Sequence, residues 1–361
     1  MFSLIALLGR RDSPTDGVQD YCEFLGSALG SHDVTFTIAR VDWMKTGWLA
    51  ALWELWRSSE SWRGSWVVLQ YTALAWSRRG FPLGAVAVLV ILRCHGVRCG
   101  VMFHESHYNG GARWLDWIRG ACQSWVTRRL YGLASKAIFA DSLETIKWLP
   151  KNDSKAIFIP IGASVPERVS LSVKPRANGA TKSVAIFCVT GAPQASIEIE
   201  EIAQAARFAA SSSSSLRFVF LGRGTAEAND LITNAFRDIP VELSVLGLLD
   251  ADEVSDVLAN SDVMLCVRGM IFPRRGSAIA GISCGLPIVC YGGPETTFPV
   301  TEAGLELVPY RDRDALAKAV SRVLLDDHLR EELRTRSLRA HREYFSWEKI
   351  AERFVAELSD E

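Results

Sequence analysis

Short runs of aliphatic and β-branched residues alternate along this chain with longer stretches in which apolar positions recur every three to four residues. In the first half, runs at 2–8, 34–41, 66–71, 97–103, 137–140 and 156–159 predict strands. Helical periodicity at 18–29 and 114–133 lies between them. Residues 165–182 (VPERVSLSVKPRANGATK) carry two prolines, small polar residues and no period, which predicts a linker. The series then restarts: SVAIFCVTG at 183–191, a helix over 197–210, and a serine run at 211–215 read as a loop. LRFVFLG at 216–222, ELSVLG at 242–247, a helix over 251–258, VMLCVR at 263–268 and LELVPY at 305–310 follow. An amphipathic stretch at 345–358 closes the chain. Strands alternating with helices predict parallel sheets of βαβ units, hence an α/β protein with two doubly wound domains.

Length agrees with this division, because 361 residues exceed what one core usually organises. With 48% apolar and 22% charged residues the chain reads as folded, neither disordered nor a coiled coil. The net charge of −1 conceals an asymmetry: residues 1–150 hold 16 Lys and Arg against 12 Asp and Glu, the remainder 24 against 29. Eleven of the 12 tryptophans lie at or before position 148, so the two halves are expected to face different surroundings. The eight cysteines form no C-x-x-C pair and several sit in apolar runs, which suits a reducing cytoplasm. The apolar start at 2–8 reads as a first strand rather than a signal peptide. The longest uninterrupted apolar run, 82–92, is well short of the roughly 20 residues that cross a bilayer.

In open α/β sheets ligands bind outside the carboxyl ends of the strands, so the loops there carry the candidate chemistry. After the first strand, Gly17 stands where a helix should begin, a place for close approach of an anion; a plain turn capped by Asp16 explains it as well. The strand at 97–103 delivers His104 and Glu105, and His104 either orients a hydroxyl or phosphate, shuttles a proton near neutral pH, or is satisfied in the core. A metal on His104 and His107 lacks a third ligand at recognisable spacing, so no metal is expected. Gly222 and Gly224 follow one strand, and Leu246 with Gly247 ends another; each fits backbone contacts to a ligand or an ordinary turn. The strongest candidate is the segment FPRRGSAIAG at 272–281. It places Gly276, Ser277 and Ala278 at a helix start beside Arg274 and Arg275, with Arg268 at the end of the preceding strand, a combination suited to a diphosphate.

The tryptophans of residues 43–76 interleave with basic residues, and Trp114, Trp117 and Trp125 share a helical face with Arg128 and Arg129 nearby. Aromatic and basic residues together predict contact with the headgroup region of a membrane, against the plainer alternative that several of these rings are core. No basic run or recognised module points to nucleic acid.

Taken in order, Gly17, His104, IPIGA (159–163), LGRGT (221–225), LGLLDADEVSDVLANSDVMLCV (246–267), GSAIAGISCGLPIV (276–289) and FSW (345–347) resemble the retaining GT-B glycosyltransferases of the large family four. The resemblance implies two Rossmann-like domains facing a central cleft: an acceptor-side domain at 1–165, a linker at 166–182, a nucleotide-sugar-binding domain at 183–344, and a helix at 345–361 packing back toward the first domain. It implies a UDP- or GDP-sugar donor and a glycan or lipid-linked acceptor. It implies no metal or other cofactor; together with the scattered cysteines and the one-sided Trp and Arg content, it leads to the expectation of a cytoplasmic protein peripheral to the inner face of the cell membrane. His104 would contact the sugar near the reaction centre and Gly17 the donor phosphate or acceptor, while the 276–277 amides would hold the diphosphate. Two departures stand out. Phe272 and Ala280 occupy the positions of the family's glutamate pair, and the Arg and Lys that usually follow the first strand of the second domain are missing from CVTGAPQASIE. Arg274 and Arg275 are expected to supply the missing charge. The departures leave open a catalytically degenerate nucleotide-sugar- or partner-binding protein; a nucleotide-sugar epimerase on the same fold is a further alternative.

Overall fold

The computed structural model describes residues 2–12, 16–106, 113–166, 181–191, 194–212 and 215–359. Most of the expected linker at 166–182, together with His107, lies outside these residues. The chain divides into two compact units, Met1–Ile161 with Trp347–Glu361, and Gly162–Ser346.

The first unit runs β1 (Phe2–Leu8), α1 (Gly17–Leu29), β2 (Val34–Arg40), α2 (Trp43–Thr46), α3 (Trp48–Ser59), β3 (Trp66–Tyr71), α4 (Leu83–Cys94), β4 (Arg98–Phe103), α5 (Trp114–Leu133), β5 (Lys136–Phe139) and β6 (Ala156–Phe158). Its six strands are all parallel in the order β2-β1-β3-β4-β5-β6. The central strand β3, WVVLQY, is buried at every position, as expected of a parallel strand covered on both faces. On one face α3, α4 and α5 pack over Val67, Leu69, Val101 and Phe103. On the other lies α1.

The second unit runs β7 (Lys182–Phe187), α6 (Gln194–Ala210), β8 (Leu216–Leu221), α7 (Asn229–Phe236), β9 (Glu242–Gly247), α8 (Ala251–Ala259), β10 (Val263–Met270), α9 (Gly276–Ser283), β11 (Ile288–Tyr291), β12 (Leu305–Val308), α10 (Arg313–Leu325) and α11 (Asp327–Ala340). Its parallel strands are ordered β12-β11-β10-β7-β8-β9. α6, α7 and α10 cover one face through Ile199, Ile202, Ile232 and Val320. The last helix, α12 (Trp347–Ser359), returns to the first unit: Trp347 stacks on Phe24 of α1 at 5.6 Å, and the buried Trp66 indole donates to the Leu358 carbonyl at 2.9 Å.

Candidate functional site

In the second sheet β7 and β10 are neighbours, but the chain leaves β7 toward β8 on one side and β10 toward β11 on the other. The loops after these two strands therefore part, leaving a crevice at their carboxyl ends. Arg268, near the end of β10, donates from Nε to the Thr190 hydroxyl beyond β7 at 3.3 Å. Thr190 in turn donates its N–H (2.8 Å) and its hydroxyl (2.5 Å) to the two carboxylate oxygens of Glu198, a residue of α6 that is only 7% exposed. With the hydroxyl proton committed to Glu198, the Thr190 oxygen is left to accept from Arg268. A cavity of about 240 Å³ opens here, lined by Glu198, Glu201, Arg268, Gly269, Tyr310 and Arg311 among others.

The segment after β10 brings the other two arginines in. Phe272 acts as a platform: the guanidinium carbons of Arg274 and Arg275 lie 4.6 and 4.4 Å from its ring centroid. Phe272 thus occupies a position where the resembled family has an acid, and it stacks two cations instead. Arg275 Nη2 donates to the Met270 carbonyl at 3.3 Å, while its buried Nε has no hydrogen-bond acceptor among the described residues. Burial pushes the Arg275 guanidinium below its ordinary range; Cys266 and Glu198 oppose the shift, and the Arg268 and Arg274 charges add to it. Crowded cations with a buried unused donor describe a place that gains from an anion.

Arg275 is also the N-cap residue of α9, and no side chain caps that helix. The Ala278 N–H donates to the Arg275 carbonyl at 3.0 Å. Gly276 and Ser277 are left as first-turn amides with no backbone acceptor among the described residues. A Cβ built on Gly276 meets no atom within 4 Å. Ala280, at the second family position, is 2% exposed and serves as core.

The two glycines after β8 answer to packing. Gly222 and Gly224 have φ of +86° and +81°, and a Cβ on Gly224 would stand 2.4 Å from the Val189 carbonyl oxygen. Gly222 donates to the Gly247 carbonyl at 2.6 Å, tying the ends of β8 and β9 together. Leu246 lines a second cavity of about 380 Å³ with Arg217, Ser244, Asp256 and Asn260.

In the first unit, His104 follows β4 with its N–H bonded to the Tyr71 carbonyl at 3.1 Å, and its Nε2 shares a 2.8 Å hydrogen bond with Gln70 Oε1. Its ring meets Tyr21 edge-on at 5.0 Å, and the buried Tyr21 hydroxyl has no hydrogen-bond partner among the described residues. Ser106 donates to Asp141, which is 5% exposed and follows β5. Gly17 opens α1 with free space around its Cβ position, yet this helix start is occupied: Asp16 accepts from Gln19 N at 3.2 Å and pairs with Arg40 at 3.4 Å. No group of three potential metal ligands occurs among the described residues.

The tryptophans separate into two populations. Trp43, Trp66 and Trp76 are core at 7%, 1% and 0% exposure, which corrects their placement on an interleaved surface. Trp114, Trp117 and Trp125 are exposed at 71%, 76% and 54%, and Arg128 and Arg129 are exposed on the same helix.

Sequence reasoning missed Thr190, Glu198, Tyr21, Gln70 and Asp141. Only Gln70 left a signal, as the single polar residue in an otherwise apolar strand core.

No protein-family model matches the chain, and none of the curated proteins matches its sequence. Solved structures do match its shape. HepE from Anabaena, solved in complex with UDP and glucose, is similar over 100% of both chains, with a TM-score of 0.67 at 11% identity. Sucrose-phosphate synthase from Thermosynechococcus elongatus aligns over 99% of this chain and 98% of its own, with a TM-score of 0.65 at 15% identity. A structure described as a UDP-N-acetylglucosamine 2-epimerase from Listeria monocytogenes aligns over 98% and 95%, with a TM-score of 0.58 at 10% identity. Two six-stranded parallel sheets flanked by helices, matched along the whole chain by these structures, make this the GT-B fold.

Proposed function

We propose that the chain is a retaining glycosyltransferase that moves a sugar from a UDP- or GDP-sugar to a lipid-linked or surface-glycan precursor, working peripherally at the cytoplasmic face of the cell membrane without a metal. The observation that carries the reading is the arginine cluster at the β7/β10 switch point beside the uncapped start of α9. In this reading the Gly276 and Ser277 amides and Arg275 hold the diphosphate, and Arg268 and Arg274 complete the neutralisation that a metal would otherwise supply. Gly222, Gly224, Leu246 and Gly247 shape the neighbouring strand ends for the nucleotide. During transfer the bond from the anomeric carbon to the diphosphate breaks and its electron pair leaves with the nucleoside diphosphate. A bond forms to the acceptor hydroxyl, whose proton is released to the leaving phosphate or to solvent. Charge grows on the leaving group, so fixed donors aimed at it are the chief catalytic contribution. His104, steadied by Gln70, contacts a hydroxyl of the transferred sugar, and Gly17 leaves room for the reacting groups. Trp114, Trp117, Trp125, Arg128 and Arg129 on α5 touch the membrane.

The test is incubation with a panel of nucleotide sugars, with and without membrane lipid extract, following release of nucleoside diphosphate and the anomeric configuration of the product. Release that depends on lipid extract supports the reading. Binding without release under every acceptor favours a degenerate binding protein. Conversion of the donor to an isomer favours the epimerase, an alternative supported by the likeness to the Listeria structure.

A further inference from the structure

α4 is unusual for a surface helix. Its first ten residues, Leu83–Leu92, contain no charged or hydrogen-bonding side chain. A helix apolar all round is ordinarily enclosed on all sides. Here the inner positions Ala85, Val88, Leu89 and Leu92 are fully buried, but Leu83 and Val90 on the outer face are 54% and 43% exposed, with Ala87 between them at helical spacing. α3 and α5 pack on either side of α4 in one layer over the first sheet. Each presents its own apolar stripe. On α3 it is Leu49, Trp53 and Trp56, spaced i, i+4, i+7 and exposed at 88%, 65% and 44%. On α5 it is Trp114, Trp117, Ile118 and Trp125. At about 200 Å² per tryptophan, Trp114 and Trp117 alone leave roughly 300 Å² in water, already the size of the largest patch on a typical monomer.

Most of the exposed basic residues sit at the ends of these helices, while Glu54 lies mid-way along α3 and Arg119 is paired with Asp116 on α5. Lys45 and Arg57 bracket α3, Arg78 and Arg79 precede α4, and Arg128 and Arg129 lie in the last turns of α5, all exposed. Between residues 42 and 133 the described chain exposes ten Lys and Arg against three Glu. Apolar helix centres with basic ends match the acyl boundary and the phosphate level of an anionic bilayer. A second copy of the same face fits less well, because a two-fold contact would set the same basic ends against each other.

We propose that the outer face of the α3–α4–α5 layer is one bilayer-docking surface centred on α4, seated on anionic lipid. This rests on the membrane reading above, which needs only α5, and extends it to two further helices. No helix among the described residues is long and apolar enough to span a bilayer, so docking is to the surface.

Flotation of the full chain with vesicles of phosphatidylcholine alone, or mixed with phosphatidylglycerol, tests it. Three forms are compared: wild type, a Leu83→Gln/Val90→Gln/Trp53→Gln variant, and a Trp114→Ala/Trp117→Ala variant. Circular dichroism melts establish that all three fold, and UDP affinity should be unchanged in each. The expected result is binding of wild type to phosphatidylglycerol vesicles and a loss on the order of tenfold or more in both variants, as removal of several lipid-buried groups requires. Loss in the α5 variant alone would overturn the three-helix face and leave the membrane reading standing. No binding of wild type to either vesicle would overturn both. Equal binding to neutral vesicles would remove the anionic-lipid part. A dimer in sedimentation that the α3/α4 variant abolishes would assign the face to a second copy and overturn the proposal.

Discussion

The starts of α1 and α9 stand after strands of two similarly built sheets, and each begins with a glycine whose Cβ position is open. They differ in what meets the helix. At α1 the carboxylate of Asp16 accepts from Gln19 N and pairs with Arg40, so the positive end of the helix and the nearest cation are both already satisfied by a side chain of the chain itself. At α9 the cap position is held by Arg275, which adds positive charge where an anion is favoured, and among the described residues two amides have no backbone acceptor and a buried guanidinium nitrogen has no hydrogen-bond partner. The same local geometry is closed in one unit and open in the other. A glycine at a helix start is therefore a poor marker of an anion site; the capping residue decides.

Substitutions can break this contrast. The largest effect is expected from Arg274→Ala/Arg275→Ala, which removes two charge-assisted donors at about 1.5–3 kcal/mol each and should weaken UDP binding by roughly a hundredfold or more in calorimetry. Retained affinity would show that the cluster is not the diphosphate site. Gly224→Ala comes next: its positive φ and the 2.4 Å approach to Val189 O should cost about 2 kcal/mol or more of stability in denaturant melts. Gly276→Ala, with open space, should leave stability within about 0.5 kcal/mol. Glu198→Gln exchanges one oxygen that accepts from Thr190 for a donor, so Arg268 loses its orientation; a several-fold rise in the donor KM with an unchanged melting temperature is the expected outcome. The smallest effect on the donor belongs to Asp16→Ala, which should lower stability by about 1 kcal/mol through the lost cap and leave UDP affinity unaltered. Weaker UDP binding in that variant would place α1, too, at the donor phosphate.

The alternation of strands and helices was enough to recover ten of the twelve strands within two residues, because parallel strands buried on both faces read as unbroken apolar runs, as in WVVLQY. The basic segment before α9 was equally legible, since arginines beside a glycine at a helix start are a local pattern. What pairs residues across the fold was not. Glu198 looks like any acid on an amphipathic helix until the strand order sets Thr190 beside Arg268. Phe272 reads as an ordinary apolar residue, and its role as a stacking platform depends on how the loop turns. The tryptophans misled for a related reason: Trp66 and Trp76 keep company with basic residues in sequence, but strand and turn geometry carry them inward, whereas the stripe on α5 faces out.

Hydrogen–deuterium exchange of the two helix starts, with and without UDP, tests the central contrast most directly. UDP is expected to slow exchange in peptides covering 270–280 and to leave those covering 16–20 unchanged. Protection at 16–20 without any at 270–280 would contradict it.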